Sequence, residues 1–115
     1  MSSRSLRLRI YDILAAVQSI EQRLQGISFQ QFNENEILAK SILYDFVVMG
    51  EAAANIPITF RETYPLVPWR YISDMRNRVA HEYFRVSLEI VWDTIQEDFP
   101  TLRQQLQEIL DHLHE

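Results

Sequence analysis

The chain has no cysteine, which removes disulfides, thiolate nucleophiles and cysteine-based metal sites together. Glycine and proline are scarce, two and four in 115 residues, so few positions force a regular element to stop. Long apolar runs are missing as well. The most apolar stretch, Ile37–Pro57, is broken by Lys40, Asp45, Glu51 and Asn55, which suits a buried helix better than a bilayer span. The opening MSSRSLRLRI alternates apolar residues with arginines and has no apolar core of the kind a signal peptide needs. A soluble protein of a reducing compartment, the cytoplasm, is the expectation. Excess positive charge is absent too: the formal charge is −5, which disfavours generic nucleic-acid binding because phosphate contacts need local cations.

The content that remains is that of one globular domain spanning residues 1–115. A chain of this length buries roughly two-thirds of the surface that its unfolded form exposes. With 47% hydrophobic residues it needs no staple to fold. Apolar residues recur at helical spacing almost throughout, and no segment alternates with period two. Leu6, Ile10, Ile13, Leu14, Val17, Ile20 and Leu24 form one stripe, stopped at Gly26, which takes the left-handed conformation without a Cβ clash.

Asn33 is read as the cap of a second helix, with Glu34 and Glu36 complementing its dipole. That helix is apolar around most of its circumference and ends at Pro57. Residues 57–68 hold three prolines and are expected to connect, with at most a short helical turn. Pro68 suits the first turn of a helix carrying Trp69, Ile72, Met75, Arg76 and Val79. Ser87 can cap the next, whose face is Leu88, Val91, Trp92, Ile95 and Phe99; Pro100 is expected to kink or break it. Leu102, Leu106, Ile109, Leu110 and Leu113 complete a final stripe. The fold class is all-α, an antiparallel bundle of four to five helices.

Charge is unevenly placed. Residues 61–85 hold five arginines (Arg61, Arg70, Arg76, Arg78, Arg85) against three acids, while the remainder holds six basic and thirteen acidic residues. The cationic island contains the run Met75-Arg76-Asn77-Arg78-Val79-Ala80-His81-Glu82-Tyr83-Phe84-Arg85-Val86. Five helical steps of ~100° separate Arg76 from His81 by ~140°. The two meet only if the helix ends between them or if a second copy supplies the missing partner. An extended segment after the helix would send His81 and Tyr83 to the same side.

Ordinary packing also accounts for this run: Arg76 and Arg78 in a last turn favoured by its dipole, His81 as a cap, Tyr83 and Phe84 as a core anchor. The chemical alternative uses His81 to take a proton from a ribose 2′-hydroxyl near neutral pH and Arg76 to hold a phosphoryl group as negative charge develops on it. Metal-independent RNA cleavage to a 2′,3′-cyclic phosphate and a 5′-hydroxyl follows from that pair. A symmetric dimer presenting two motifs to one cleft would supply the general acid that a single histidine lacks.

Arg76 to Tyr83 fits the RX4HXY signature, and the chain resembles the HEPN superfamily, specifically HepT-like toxins. Gly50-Glu51-Ala52-Ala53, Trp69–Arg78, Val91-Trp92-Asp93-Thr94-Ile95 and Phe99-Pro100 extend the similarity from about Leu6 to Leu110. The resemblance implies a homodimeric HEPN bundle acting as a metal-independent endoribonuclease toxin of a type VII-like toxin–antitoxin pair, with tRNA or mRNA as substrate. It implies a minimal nucleotidyltransferase antitoxin, able to join it in a higher assembly, that transfers AMP from ATP to a motif tyrosine. Carried over by position, Arg76 and His81 are catalytic, Tyr83 is the modified residue, and Asn77 and Arg78 contact substrate. No cofactor, metal or membrane is implied.

Other positions carry weaker expectations. Glu51, in the apolar helix, is either exposed or paired with a motif arginine, since an unpaired buried carboxylate is costly. Glu82 would stabilise the His81 imidazolium and repel RNA if it points inward, and would do neither if it points outward. His112 and His114 read as surface residues rather than metal ligands. Arg4, Arg7 and Arg9 read as a solvated helix start, and the Trp92 stripe as core or dimer surface. A non-catalytic helical dimer that binds nucleotide or protein through the motif is the competing function.

Overall fold

The computed structural model describes residues 3–113, with side chains from Ser5 onward; the Arg4 side chain and His114 lie outside the described residues. Six α-helices follow in order, α1 (Ser3–Leu24), α2 (Phe29–Glu34), α3 (Glu36–Ala54), α4 (Ile58–Thr63), α5 (Trp69–His81) and α6 (Leu88–His112), with one 3₁₀ turn, Tyr83–Arg85, between the last two. No strand occurs among the described residues. Four long helices make the bundle, and two six-residue helices join them.

Helix starts follow local chemistry. Ser28 and Gln31 form a reciprocal capping box at α2, and the Ser87 hydroxyl accepts from the Ile90 N–H at 3.2 Å. The cap of α3 is Asn35, whose side chain accepts from the Leu38 N–H at 3.0 Å, and Asn33 lies inside α2. The expected cap was two residues early because the short α2 is invisible to a periodicity count. Pro68 occupies the N-cap of α5 and Trp69 begins the helix.

Gly26 has φ +75° and turns the chain out of α1 as expected. Pro100 does not break its helix: α6 runs unbroken from Leu88 to His112. Val91, Ile95 and Phe99 before the proline and Leu102, Leu106 and Ile109 after it are all buried. Apolar burial of roughly 1.5–3 kcal/mol for each such side chain keeps both halves helical against the ~3 kcal/mol preference of proline to interrupt a helix.

The core joins all four long helices. Ile10, Ile13, Val17 and Ile20 from α1 meet Ile42, Leu43, Phe46 and Met49 from α3, Ile72, Met75 and Val79 from α5, and the α6 stripe. Phe29 and Phe32 of α2 close one side over Trp92, at centroid distances of 5.9 and 5.7 Å. Trp92 is thus a packing residue, half-buried beneath α2.

Polar clamps set the helix registers. Arg23 of α1 reaches Ser41 at 2.7 Å and also pairs with Asp45 of α3; burial lowers its pKa from the usual arginine value. Arg103 of α6 pairs with Glu21 at 2.8 Å, and Arg7 donates to the Leu113 carbonyl at 3.0 Å. Residues 7 and 21 therefore face 113 and 103, so α1 and α6 are antiparallel. Arg7 is not merely solvated; it caps the C-terminal end of α6, where unsatisfied carbonyls collect.

Candidate active site

The motif occupies the second half of α5 and the turn after it. Trp69, Ile72, Met75 and Val79 are buried on the face of α5 that packs against α3. The two helices approach most closely at Gly50. A Cβ built there would lie 2.9 Å from the Ile72 carbonyl oxygen and 3.1 Å from the Arg76 Cα, with the Arg76 Cβ nearer still. Glycine at this position lets α5 lie on α3, and the stem of Arg76 crosses directly above it.

Beyond that crossing the Arg76 guanidinium meets Glu51, with Nη1 2.7 Å from Oε2. Glu51 is both exposed and paired with the motif arginine. The Glu51 side chain is 59% exposed and that of Arg76 is 30% exposed. An ion pair this open to water is worth at most ~1 kcal/mol, so a phosphate able to bind a guanidinium through two hydrogen bonds can compete with the carboxylate. The pair aims Arg76 without locking it.

His81 is the last residue of α5. The helix does not end between Arg76 and His81, so within one chain the two side chains stay ~140° apart. Arg76 borders the buried face, whereas His81 is exposed on the side away from the core. Within one copy of the chain the two side chains do not meet.

Nor is the following segment extended: Glu82 ends α5, its N–H donating to the Arg78 carbonyl at 2.9 Å, and Tyr83–Arg85 is a 3₁₀ turn. The period-two argument for His81 and Tyr83 therefore does not apply. Among the described residues the side chains of Asn77, Arg78, His81, Glu82 and Arg85 are exposed and form no hydrogen bond or ion pair. Glu82 thus points to solvent and touches neither His81 nor an arginine.

Tyr83 is half-buried and packs on the core, while Phe84, its edge-to-face neighbour at 5.2 Å, is 97% exposed. Tyr83 alone is the anchor, and Phe84 is held out of the core by the tight turn. The Lys40 side chain of α3, 3.0 Å from Glu36, belongs to the same neighbourhood. Its pKa is raised by the hydrogen bond to Glu36, then by the Glu36 charge, and further by the Tyr83 oxygen. The spacing of Glu36 and Lys40 is readable in the sequence.

The cationic island contracts on inspection. Arg61 donates to the carbonyls of Ile56 at 3.0 Å, Ala53 at 2.9 Å and Ala54 at 3.2 Å, closing the C-terminus of α3. Arg70 has only a 4.0 Å contact with Asp74. Arg78 and Arg85 remain exposed and without an acidic partner. His112 binds the Glu108 carbonyl at 2.7 Å, and no cluster of three metal-ligating side chains occurs among the described residues. A pocket of about 230 Å³ between the α4–α5 connection and α6 is lined by none of the motif residues.

The HepT-like family profile, described as ribonuclease HepT-like, matches residues 13–109. The chain belongs to the HepT-like ribonuclease family. It is 39% identical over 98 residues to a candidate RNase of Caldanaerobacter subterraneus, covering 85% of this chain and 88% of that protein. It is also similar to a protein of Thermococcus cleftensis named "Probable ribonuclease HepT", 31% identical over 106 residues, 92% of this chain and 96% of the relative. A candidate RNase of Methanocaldococcus jannaschii aligns along the whole chain, 29% identical over 115 residues and 99% of its own length. No solved structure matches the chain. The all-α bundle is the HEPN-type fold expected for a HepT-like protein, and no described helix is long and apolar enough to cross a membrane.

Proposed function

We propose that the protein is a metal-independent endoribonuclease whose reaction centre forms between two copies of the chain. The observation that carries this reading is the split of the motif on one unbroken helix. Arg76 is aimed by Glu51 on one side of α5, and His81 is exposed and unpartnered on another. Two α5 helices facing each other across a two-fold axis bring the arginine of one copy toward the histidine of the other.

In such a cleft one imidazole takes the 2′-hydroxyl proton of the ribose. The 2′-oxygen attacks the adjacent phosphorus, and Arg76 stabilises the negative charge that builds on the phosphoryl oxygens. The bond to the 5′-oxygen breaks, and the second imidazolium protonates that leaving oxygen. A 2′,3′-cyclic phosphate and a 5′-hydroxyl result. Asn77 and Arg78 are exposed donors beside the pair, suited to flanking phosphates of a tRNA or mRNA.

Silencing acts through Tyr83. A nucleotidyltransferase partner transfers AMP from ATP: the phenol oxygen forms a bond to the α-phosphorus, pyrophosphate leaves, and the phenol proton passes to solvent or partner. A bulky anion then stands two residues from His81 and repels RNA phosphate. Such a pair constitutes a toxin and its antitoxin in the cytoplasm. The non-catalytic reading, a dimer that merely holds nucleotide or protein, predicts no cleavage at all.

RNA cleavage by purified protein in excess chelator tests the proposal. His81→Ala is expected to abolish product, and Arg76→Ala to reduce it severely. Co-refolding wild type with an equal amount of His81→Ala is the sharper test. A quarter of the dimers are then wild type and half hold a single histidine, so activity should fall to about half of that of the same amount of wild type refolded alone. Undiminished activity with mixed dimers verified would refute a centre shared between copies, and cleavage surviving in His81→Ala would refute the mechanism itself.

A further inference from the structure

Phe84 is the most exposed large apolar side chain among the described residues, at 97%. It follows His81 by three residues, and that length of chain can separate the two by no more than about 10 Å. A phenyl ring left wholly in water beside a reacting histidine has no part in holding the bundle together.

The turn dictates this exposure. The Glu82 N–H donates to the Arg78 carbonyl at 2.9 Å and the Arg85 N–H to the Glu82 carbonyl at 2.7 Å. The chain therefore leaves α5 through one tight 3₁₀ turn, Tyr83–Arg85, in which successive side chains diverge by about 120°. Tyr83 takes the inward direction and packs on the core, which leaves Phe84 the outward one. The two rings meet at 5.2 Å with their planes 85° apart. An edge-to-face contact of this kind holds the outer ring at a set tilt and covers at most one of its faces.

The surroundings of the ring are cationic rather than apolar. Residues 76–85 hold Arg76, Arg78, Arg85 and His81 against Glu82 alone. Arg78, His81, Glu82, Arg85 and Ser87 are all exposed, so along this segment the apolar surface stops at the ring instead of widening into a patch suited to another protein. Arg78 and Arg85 have no acidic partner. An open aromatic face among free guanidinium groups is the combination that holds single-stranded nucleic acid, the cations following the phosphates while a base stacks on the ring.

We propose that Phe84 is the stacking platform for an unpaired nucleobase next to the scissile phosphate. The inference rests on the reading of the chain as a ribonuclease that cuts at His81. With its phosphate at His81, a nucleotide reaches the ring with its base, and Arg85 and Arg78 lie on the same segment to meet the phosphates on either side. A base locked in a duplex cannot reach the ring, so the site selects loops and single strands. Selection rests on the presence of a free base rather than on its hydrogen-bonding edge, because every base has a π-face.

The cleavage site is first mapped with wild type on a short single-stranded RNA. The base on each side of it is then removed in turn, using an abasic ribonucleotide that keeps the sugar and phosphate. Phe84→Ala is expected to raise KM for the intact RNA about tenfold, the scale of one stacked base, with kcat changed less than about twofold. Phe84→Trp should keep the low KM, and Phe84→Leu, apolar but without a π-face, should not. Loss of one of the two bases should raise the wild-type KM by the same factor and leave that of Phe84→Ala unchanged. Packing, or a contact between copies, would give losses that add at both positions. Additive losses, or a Phe84→Leu enzyme equal to wild type, would overturn the assignment of Phe84. Absence of cleavage by wild type on any RNA would instead overturn the ribonuclease reading and this inference with it.

Discussion

Replacing Gly50 with alanine sets two opposing effects against each other, and the crossing geometry decides the sign. In the interior of a helix alanine is favoured over glycine by ~1 kcal/mol, through backbone entropy. Against this, the new Cβ would stand 2.9 Å from the Ile72 carbonyl oxygen and 3.1 Å from the Arg76 Cα. Those distances fall short of ordinary carbon contact by roughly half an ångström. Both obstacles are backbone atoms, which cannot rotate aside as a flexible side-chain tip would. The helices must separate, at a cost of ~1–3 kcal/mol for an overpacked core.

The net expectation is a loss of ~1–2 kcal/mol, or roughly 4–10 °C in Tm for a domain of this size, read by thermal unfolding at fixed protein concentration. Because Arg76 moves with α5, cleavage per folded molecule should also fall, by roughly tenfold or more. A Tm at or above that of wild type would show that α5 yields freely, and would refute the argument that Gly50 is required by close approach.

Two further outcomes follow from features remote from the motif. Arg61→Ala removes three hydrogen bonds from the carbonyls of Ala53, Ala54 and Ile56. It should cost ~1–3 kcal/mol in urea unfolding, with Arg61→Lys recovering less than half because an ammonium lacks the fork. Pro100→Ala restores a backbone donor inside an unbroken α6 and should stabilise the protein by ~1–2 kcal/mol, part of the helix gain being offset by a freer unfolded chain. An unchanged unfolding midpoint in either case would contradict the helix-end and helix-interior arguments given above.

The sequence carried the helices well, because spacings of three and four residues record directly which side of each helix is buried. Gly26, Ser87 and the apolar character of α3 were all readable in this way. What escaped was set by tertiary contact. Asn35 caps α3 only because Phe29–Glu34 forms a separate short helix over Trp92. Pro100 is carried through α6 by burial on both sides of it, which outweighs a local preference.

At the site, spacing gave the angle between Arg76 and His81 but not where α5 would end. The answer turned on whether Val79 stays packed as helix, and it does. Arg61 was counted in the cationic island because charge can be counted along a chain, whereas the carbonyls that absorb it cannot.

The two motif residues differ in how far the scaffold depends on them. Arg76 lies over the close approach at Gly50 and pairs with Glu51, so truncating it strips a half-buried side chain from the crossing of α3 and α5. His81 touches nothing that the bundle needs. A lineage can therefore lose the histidine with little loss of folding, and under the proposed shared centre such a descendant would remain abundant, pair with active copies and dilute them. The architecture offers no safeguard against that drift. For the experimentalist the same asymmetry makes His81 the position at which to disarm the protein while keeping its shape, and it makes loss of activity at Arg76 interpretable only alongside a measurement of stability.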